Sequence, residues 1–255
     1  MPTTTLGTVI KVGNILDLFT EERAEWGVRE VSDQLDMPKS TSHALLSSLA
    51  STGLLRRTER GRYQLGWRLL SLSHVLTATT RLCTEARVWL QDLSTEYGET
   101  VHLATLEAGR VVYIDKQSGA RALPVKMTGI GTALPAHCSG VGKVLLAAQP
   151  WDSVVTLVSR LGLQVFTRNT IATLSELEDE LTRVRNDGCA FDIEEVATDL
   201  CCVAGPVRDA SGRVVAAVSV SVPTYRFRAA RESYRRTVLE AAQGISVNLG
   251  YERSI

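Results

Sequence analysis

Along the 255-residue chain, hydrophobic positions first recur at helical spacing and later alternate. Val12, Ile15, Leu16 and Phe19 fall at i, i+3, i+4 and i+7, which predicts a first helix with one apolar face. Gly27 interrupts, and Val28, Val31 and Leu35 repeat the spacing in a short second helix ending near Asp36-Met37. Pro38 suits the first position of a third helix, where its fixed φ fits and its missing amide is not needed. In that helix Leu45, Leu46 and Leu49 point inward, while Lys39, Ser40, Ser42, His43 and Ser47 form the polar face. Gly53 supplies the stop. LLRRTERGRYQLG then reads as two strands about a turn at Glu59-Arg60-Gly61. Helices followed by a hairpin predict a winged helix-turn-helix over residues 1–66.

Leu69, Leu72 and Leu76, then Val88, Leu90 and Leu93, predict two connecting helices over 67–98 with a break around Thr77 to Thr80. No Pro/Gly-rich run occurs there, so the connector is stiff. Beyond it the period shifts. TVHLATL (100–106) and RVVYID (110–115) flank Glu107-Ala108-Gly109, a hairpin signal. SGVGKVLLAA opens a helix after an irregular stretch, and LSELEDELTRVRNDG carries the capping pattern Ser175-x-x-Glu178 with a stop at Gly188. CCVAGPVRDASGRVVAAVSVSVP reads as two strands about the turn Asp209 to Gly212, and Arg228 to Gly250 as a closing helix. The expected fold is α+β: the winged domain, a helical linker, and an antiparallel sheet with helices on its faces over 99–255.

Composition narrows the function classes. No apolar run approaches the ~20 residues that cross a bilayer, and MPTTTLGTVIKVGN lacks the pattern of a secretory leader, so a cytoplasmic protein is expected. The five cysteines show no paired CxxC spacing, which fits reduced thiols better than a zinc site. Net charge is zero, with 28 basic and 28 acidic residues, but the charges are not evenly spread. Between Pro38 and Arg68, Lys39, Arg56, Arg57, Arg60, Arg62 and Arg68 face Glu59 alone, a local +5. Residues 175–199 lean strongly acidic. A basic patch in a neutral protein marks a site.

In a winged helix-turn-helix the second helix of the motif enters the DNA major groove and the wing's cations neutralise phosphates. Ser40, Thr41 and Ser42 keep the helix front slim enough for close contact, and Lys39 and His43 add reach. A solvated serine-rich helix beside a charged hairpin is the plain alternative. In the second domain, Ser139, Gly140 and Val141 sit at a helix start, where free amides and the dipole favour an anion. Ser219 and Ser221 alternate along VSVSV and so share one face of a strand.

VREVSDQLDMPKSTSHALLSSLASTGLLRR resembles the DNA-binding domain of the isocitrate lyase regulator (IclR) family of bacterial transcription factors. LPAHCSGVGKVLLA and GCAFDIEEVATDLCCVAGPVRDASGRVVAAVSVSVP resemble that family's effector-binding domain. The resemblance implies a GAF/PAS-like sheet holding a small ligand, double-stranded operator DNA as partner, and a homodimer or homotetramer. It places DNA contacts on Lys39, Ser40, Thr41, His43, Arg56, Arg57, Arg62 and Tyr63. It places carboxylate-binding amides on Gly140 and Val141, polar pocket groups on Asp192, Cys202, Ser219 and Ser221, and an apolar wall on Met127, Leu134 and Ala136. A small organic acid is the implied effector, with no cofactor and no catalytic residue.

Other readings have weaker support. GVGKV resembles the end of a phosphate-binding loop, but His137 stands where that loop needs glycine and Val144 where it needs Ser or Thr. Lys143 then reads as an ordinary residue of a helix's first turn. His137-Cys138 with Asp192 raises a cysteine hydrolase, although chain neighbours seldom point at each other. His74, His102 and His137 show no metal-ligand spacing. A ligand- or protein-binding module whose winged domain never meets DNA is the remaining alternative.

Overall fold

The computed structural model describes residues 6–123 and 128–252. The chain forms two compact units, residues 1–78 and 79–255, so the first extends past the hairpin into the predicted linker.

The first unit contains helices α1 (Gly7–Leu16), α2 (Val28–Gln34) and α3 (Lys39–Ser51), strands β1 (Leu55–Arg57) and β2 (Tyr63–Leu65), and most of α4 (Arg68–Thr79). Its core gathers Ile15, Trp26, Val31, Leu46, Leu49, Leu55 and Tyr63. α1 ends at Leu16, so Phe19 joins this core from the following turn and not from the helix face predicted for it. α3 begins one residue later than expected, with Pro38 as N-cap. β1 and β2 pair antiparallel with Arg56 opposite Gln64, and Gly61 takes a left-handed φ of 74° in the turn between them. Trp26 and Tyr63 exchange backbone hydrogen bonds, which adds a third rung to the wing. α4 buries none of its residues within its own unit, and Leu70 and Leu72 face outward.

In the second unit, α5 (Arg81–Tyr97) follows a break at Thr80, inside the predicted interval. A six-stranded antiparallel sheet comprises β3 (Thr100–Glu107), β4 (Arg110–Ser118), β5 (Ala133–Pro135), β6 (Ala190–Ile193), β7 (Leu200–Arg208) and β8 (Val214–Pro223). The strand order is β5-β4-β3-β8-β7-β6. One face packs on α5 and on α9 (Thr224–Asn248) through Val101, Leu103, Val203, Val218 and Val220. The other packs on α6 (Gly140–Ala147), α7 (Trp151–Leu161) and α8 (Leu174–Asp187) through Ala104, Ala204 and Ala217. Within α5 only Leu90 and Leu93 of the predicted apolar set are buried, and Val88 is exposed. The capping box of α8 is Thr173 with Glu176, not Ser175 with Glu178: Thr173 Oγ1 accepts the Glu176 amide at 3.2 Å and Glu176 Oε2 accepts the Thr173 amide at 3.1 Å. Ser175 lies one residue inside the helix, past the point where an N-cap side chain can serve. Among the described residues no helix is long and apolar enough to cross a membrane.

Candidate functional site

In the first unit, Lys39, Ser40 and His43 are exposed along the front of α3, and Arg56 and Arg57 are exposed on β1. Thr41 is half-buried. For two residues the structure differs from the sequence expectation, Ser42 on the polar helix face and Tyr63 as a DNA contact. Ser42 is fully buried, with its hydroxyl donating to the Pro38 carbonyl at 3.3 Å, because it falls on the inner helix stripe with Leu46 and Leu49. Tyr63 is 2% exposed and belongs to the core, since strand alternation turns it inward opposite Trp26. Arg62 is half-buried and already engaged: Nη2 lies 2.7 Å from Glu30 Oε2 and also donates to the Glu25 carbonyl at 3.0 Å. It braces the wing.

In the second unit, strand alternation and register assemble the sheet side of a polar cavity. Asp192 pairs with Cys202, and Cys202 with Ser221, in one row across β6, β7 and β8. Ser219 lies on the same face, opposite His102 of β3. Hydrogen bonds run along this face: Cys202 Sγ and Ser221 Oγ are 3.1 Å apart, Ser221 Oγ and His102 Nδ1 3.4 Å, and His102 Nε2 and Thr128 Oγ1 2.8 Å. Burial drives the His102 imidazole down to about 3, with the Lys116 charge adding to the effect, so the ring is neutral.

The first turn of α6 closes the opposite wall. Ser139 caps it, its Oγ accepting the Gly142 amide at 3.1 Å while its carbonyl accepts the Lys143 amide at 2.9 Å. The amides of Gly140 and Val141 precede the first intrahelical bond and have no acceptor in the helix ladder. Gly142 is required for this placement, since a Cβ there would stand 2.1 Å from the Ala136 carbonyl oxygen. Gly140, Val141, Asp192, Cys202, Ser219 and Ser221 all line one cavity of about 20 Å³, room for a single water. Ser139, singled out at the helix start, lines it too, as do Tyr113 and Thr128, which sequence reasoning missed; a tyrosine on an alternating strand looks like any half-buried β residue. Leu134 and Ala136 are instead buried in the core against α6 and do not line the cavity, which corrects their assignment. Met127 lies outside the described residues.

Behind Asp192 sits a buried ion cluster that sequence reading did not foresee. Lys143, 1% exposed, places Nζ 2.6 Å from Glu195 Oε1 and 2.9 Å from Glu180 Oε1. Burial alone would pull this ammonium down, but the two carboxylates more than offset it and hold it above its ordinary value. Asp192 Oδ1 accepts the Glu195 amide at 2.7 Å. Burial, and then the Glu195 charge, push the Asp192 carboxyl up to about 7.

The His137-Cys138 pair has no nucleophile geometry. His137 Nε2 is 3.0 Å from the Gln164 carbonyl, and Cys138 Sγ donates to the Pro135 carbonyl at 3.3 Å. Burial pushes the Cys138 thiol up to about 12, far from the thiolate that attack needs.

Comparison with known proteins agrees with this architecture. Residues 8–59 match the IclR helix-turn-helix domain, and residues 74–247 match the bacterial transcriptional regulator IclR C-terminal domain. The HTH-type transcriptional regulator XynR of Escherichia coli is 34% identical over 239 residues, spanning 93% of this chain and 94% of XynR. The crystal structure of Thermotoga maritima IclR is 29% identical, covers 97% of this chain and 100% of its own, and superposes with a TM-score of 0.72. An IclR homolog from Microbacterium hydrocarbonoxydans, crystallised in complex with 4-hydroxybenzoate, is 25% identical with a TM-score of 0.82, covering 95% of this chain and 99% of its own. A winged helix-turn-helix followed by this sheet domain, matched over nearly the whole chain, makes this protein a member of the IclR family of DNA-binding transcriptional regulators.

Proposed function

We propose that α3 reads an operator through Lys39, Ser40, Thr41 and His43 while Arg56 and Arg57 hold the adjacent phosphates, and that a small organic acid in the α6 cavity modulates this binding. The observation that carries the reading is the exposed front of α3 beside an exposed arginine strand, in a protein of zero net charge. Operator affinities near 10⁻⁸ M ordinarily need two half-sites, so the active species is a homodimer or a dimer of dimers. Val9 and Ile10 on α1 and Leu70 and Leu72 on α4, exposed in the single chain, suit self-association.

The acid's carboxylate meets the Gly140 and Val141 amides, and Asp192, Cys202, Ser219 and Ser221 read its polar groups. The complex of the Microbacterium homolog supports an aromatic hydroxy acid as one class to test here. A cavity of about 20 Å³ admits such a molecule only after its walls move apart, so the ligand selects an opened state. That state must differ in operator affinity for the ligand to have any effect. The protein acts without catalysis, in the cytoplasm where its DNA lies.

Mobility-shift assays with the intergenic DNA beside the gene, with and without 4-hydroxybenzoate, test the reading. A shift that weakens steeply with salt is expected. No shift at low salt would refute operator binding, and a shift that no small carboxylate alters would refute the effector.

A further inference from the structure

Charge inside the cavity does not balance for a carboxylate ligand. Among the described residues no lysine or arginine lines it, His102 beside it is neutral, and Asp192 is already there as a buried carboxyl. The groups that sense Asp192 come from every side: Glu195 from its own turn, Lys143 from α6, Cys201 and Cys202 from β7, Tyr113 from β4, and Cys138 from the 3₁₀ turn before α6. Burial, first of all, holds the phenol and the three thiols neutral. Lys143 is the one cation in this set, and its ammonium is engaged by Glu195 and Glu180. Glu180 also meets Arg183 at 2.9 Å on the outer side. Glu195 Oε2 is buried with no hydrogen-bond partner, so the cluster has no positive charge left over. Two first-turn amides can hold one carboxylate, but they leave Asp192 without a counter-charge.

We propose that the cavity takes its organic acid together with one proton, shared between the Asp192 carboxyl and the ligand carboxylate, and that Glu195 enforces this by occupying the Lys143 cation. The inference rests on the effector reading above. The proton comes from solvent, and the only new bond is its O–H. Asp192 is positioned for the role, since the Glu195 amide fixes its Oδ1 within the turn that forms the cavity wall. A neutral carboxyl donates to a carboxylate, where two ionised carboxyls in one buried space repel. The cavity therefore selects monocarboxylates. A primary carboxamide can donate its NH₂ to an ionised Asp192 or accept from the protonated carboxyl through its C=O, so its binding takes up no proton.

Calorimetric titration of the full chain with 4-hydroxybenzoate, glyoxylate and pyruvate between pH 5.5 and 8.5 provides the test. Affinity should be level below about pH 7, where Asp192 holds its proton, and fall about tenfold per pH unit above it. Titrations at pH 8 in buffers of different ionisation heat should count close to one proton taken up. Asp192→Asn, which keeps a donor and cannot titrate, should abolish the slope and the uptake while still binding the acid. Glu195→Gln should move the break to lower pH, because a neighbouring negative charge is removed. 4-Hydroxybenzamide should bind with no pH slope. Melting curves and operator shifts check that each variant is folded. Binding at pH 8 without proton uptake, or a slope that survives Asp192→Asn, overturns this inference and leaves the effector reading standing. No binding of any of the three acids at any pH overturns both.

Discussion

Glu30 Oε2 accepts the Gly27 amide at 2.7 Å and the Arg62 guanidinium at 2.7 Å, so one carboxylate oxygen joins the start of α2 to the wing. The Gly27 amide first, then the Arg62 and Arg23 charges, hold the Glu30 carboxyl below its ordinary range against the opposing effect of burial. Arg62 is thereby a strut, while Arg56 and Arg57 point their charge to solvent.

This division of roles is measurable. Arg56→Ala or Arg57→Ala should each lower the slope of log K against log salt for operator binding by about 0.9, the contribution of one phosphate contact. Arg62→Ala should leave the slope nearly unchanged. Its effect should appear in urea denaturation as a loss of up to ~1 kcal/mol, since the pair is about a third exposed and screened.

Two serines separated by one residue should behave in opposite ways. Ser40 is exposed on α3 and Ser42 is wholly buried beneath it. Ser40→Glu should abolish the mobility shift with an unchanged melting curve, because a new anion faces phosphate. Ser42→Glu should unfold the first unit, a loss of several kcal/mol for an unpaired buried charge, seen as lost helical signal in circular dichroism.

Lys143→Met should be far more damaging than its place in a helix's first turn suggests. It leaves Glu195 buried without its cation, and breaking such a pair typically costs ~3–5 kcal/mol. Chemical denaturation of the full chain reads this. A loss below ~1 kcal/mol would mean the cluster is solvated and the pairing incidental.

Asp192 should leave a trace in stability without any ligand. Its carboxyl titrates near 3.8 unfolded and at about 7 folded, so the folded state holds more protons between those values. Stability contributed by this group therefore falls as pH rises from about 4 to about 7, by at most ~4 kcal/mol. His102, held neutral by burial, acts in the opposite sense, with stability lost as pH falls below about 6.5. Comparison of the native protein with Asp192→Asn isolates the aspartate: the difference in denaturation free energy between the two should change from pH 5 to pH 7.5. A constant difference would place Asp192 near its ordinary value.

Much of the architecture was legible because local rules suffice for it. Helical spacing marked the first three helices, and the Glu107-Ala108-Gly109 and Asp209–Gly212 turns gave the two long hairpins. The shared face of Ser219 and Ser221 follows from strand period alone. Where local signals compete, the reading went astray. Thr173 and Ser175 are both followed by an acid three residues on, and only the packing of α8 decides that Thr173 is the cap. The polar face set opposite Leu45, Leu46 and Leu49 includes Ser42 in the sequence, yet the helix stripe that buries Leu46 and Leu49 takes it inward. Tyr63 followed the family pattern, but the bridge to Trp26 makes it core.

What the amino-acid order determined by itself is the winged helices, the two long hairpins, the shared strand face of Ser219 and Ser221, and the basic character of the α3–wing segment, all of which depend on neighbours a few residues away; the short strands β5 and β6 and helix α7 carried no such local signal. Tertiary structure alone decided that Asp192, Cys202 and Ser221 stand in one row across three strands, that Lys143 is sealed between Glu180 and Glu195, and that the cavity beside them holds one water's volume. Those groups come from segments far apart in the chain, and burial and charge, which set their protonation, exist only once the segments pack.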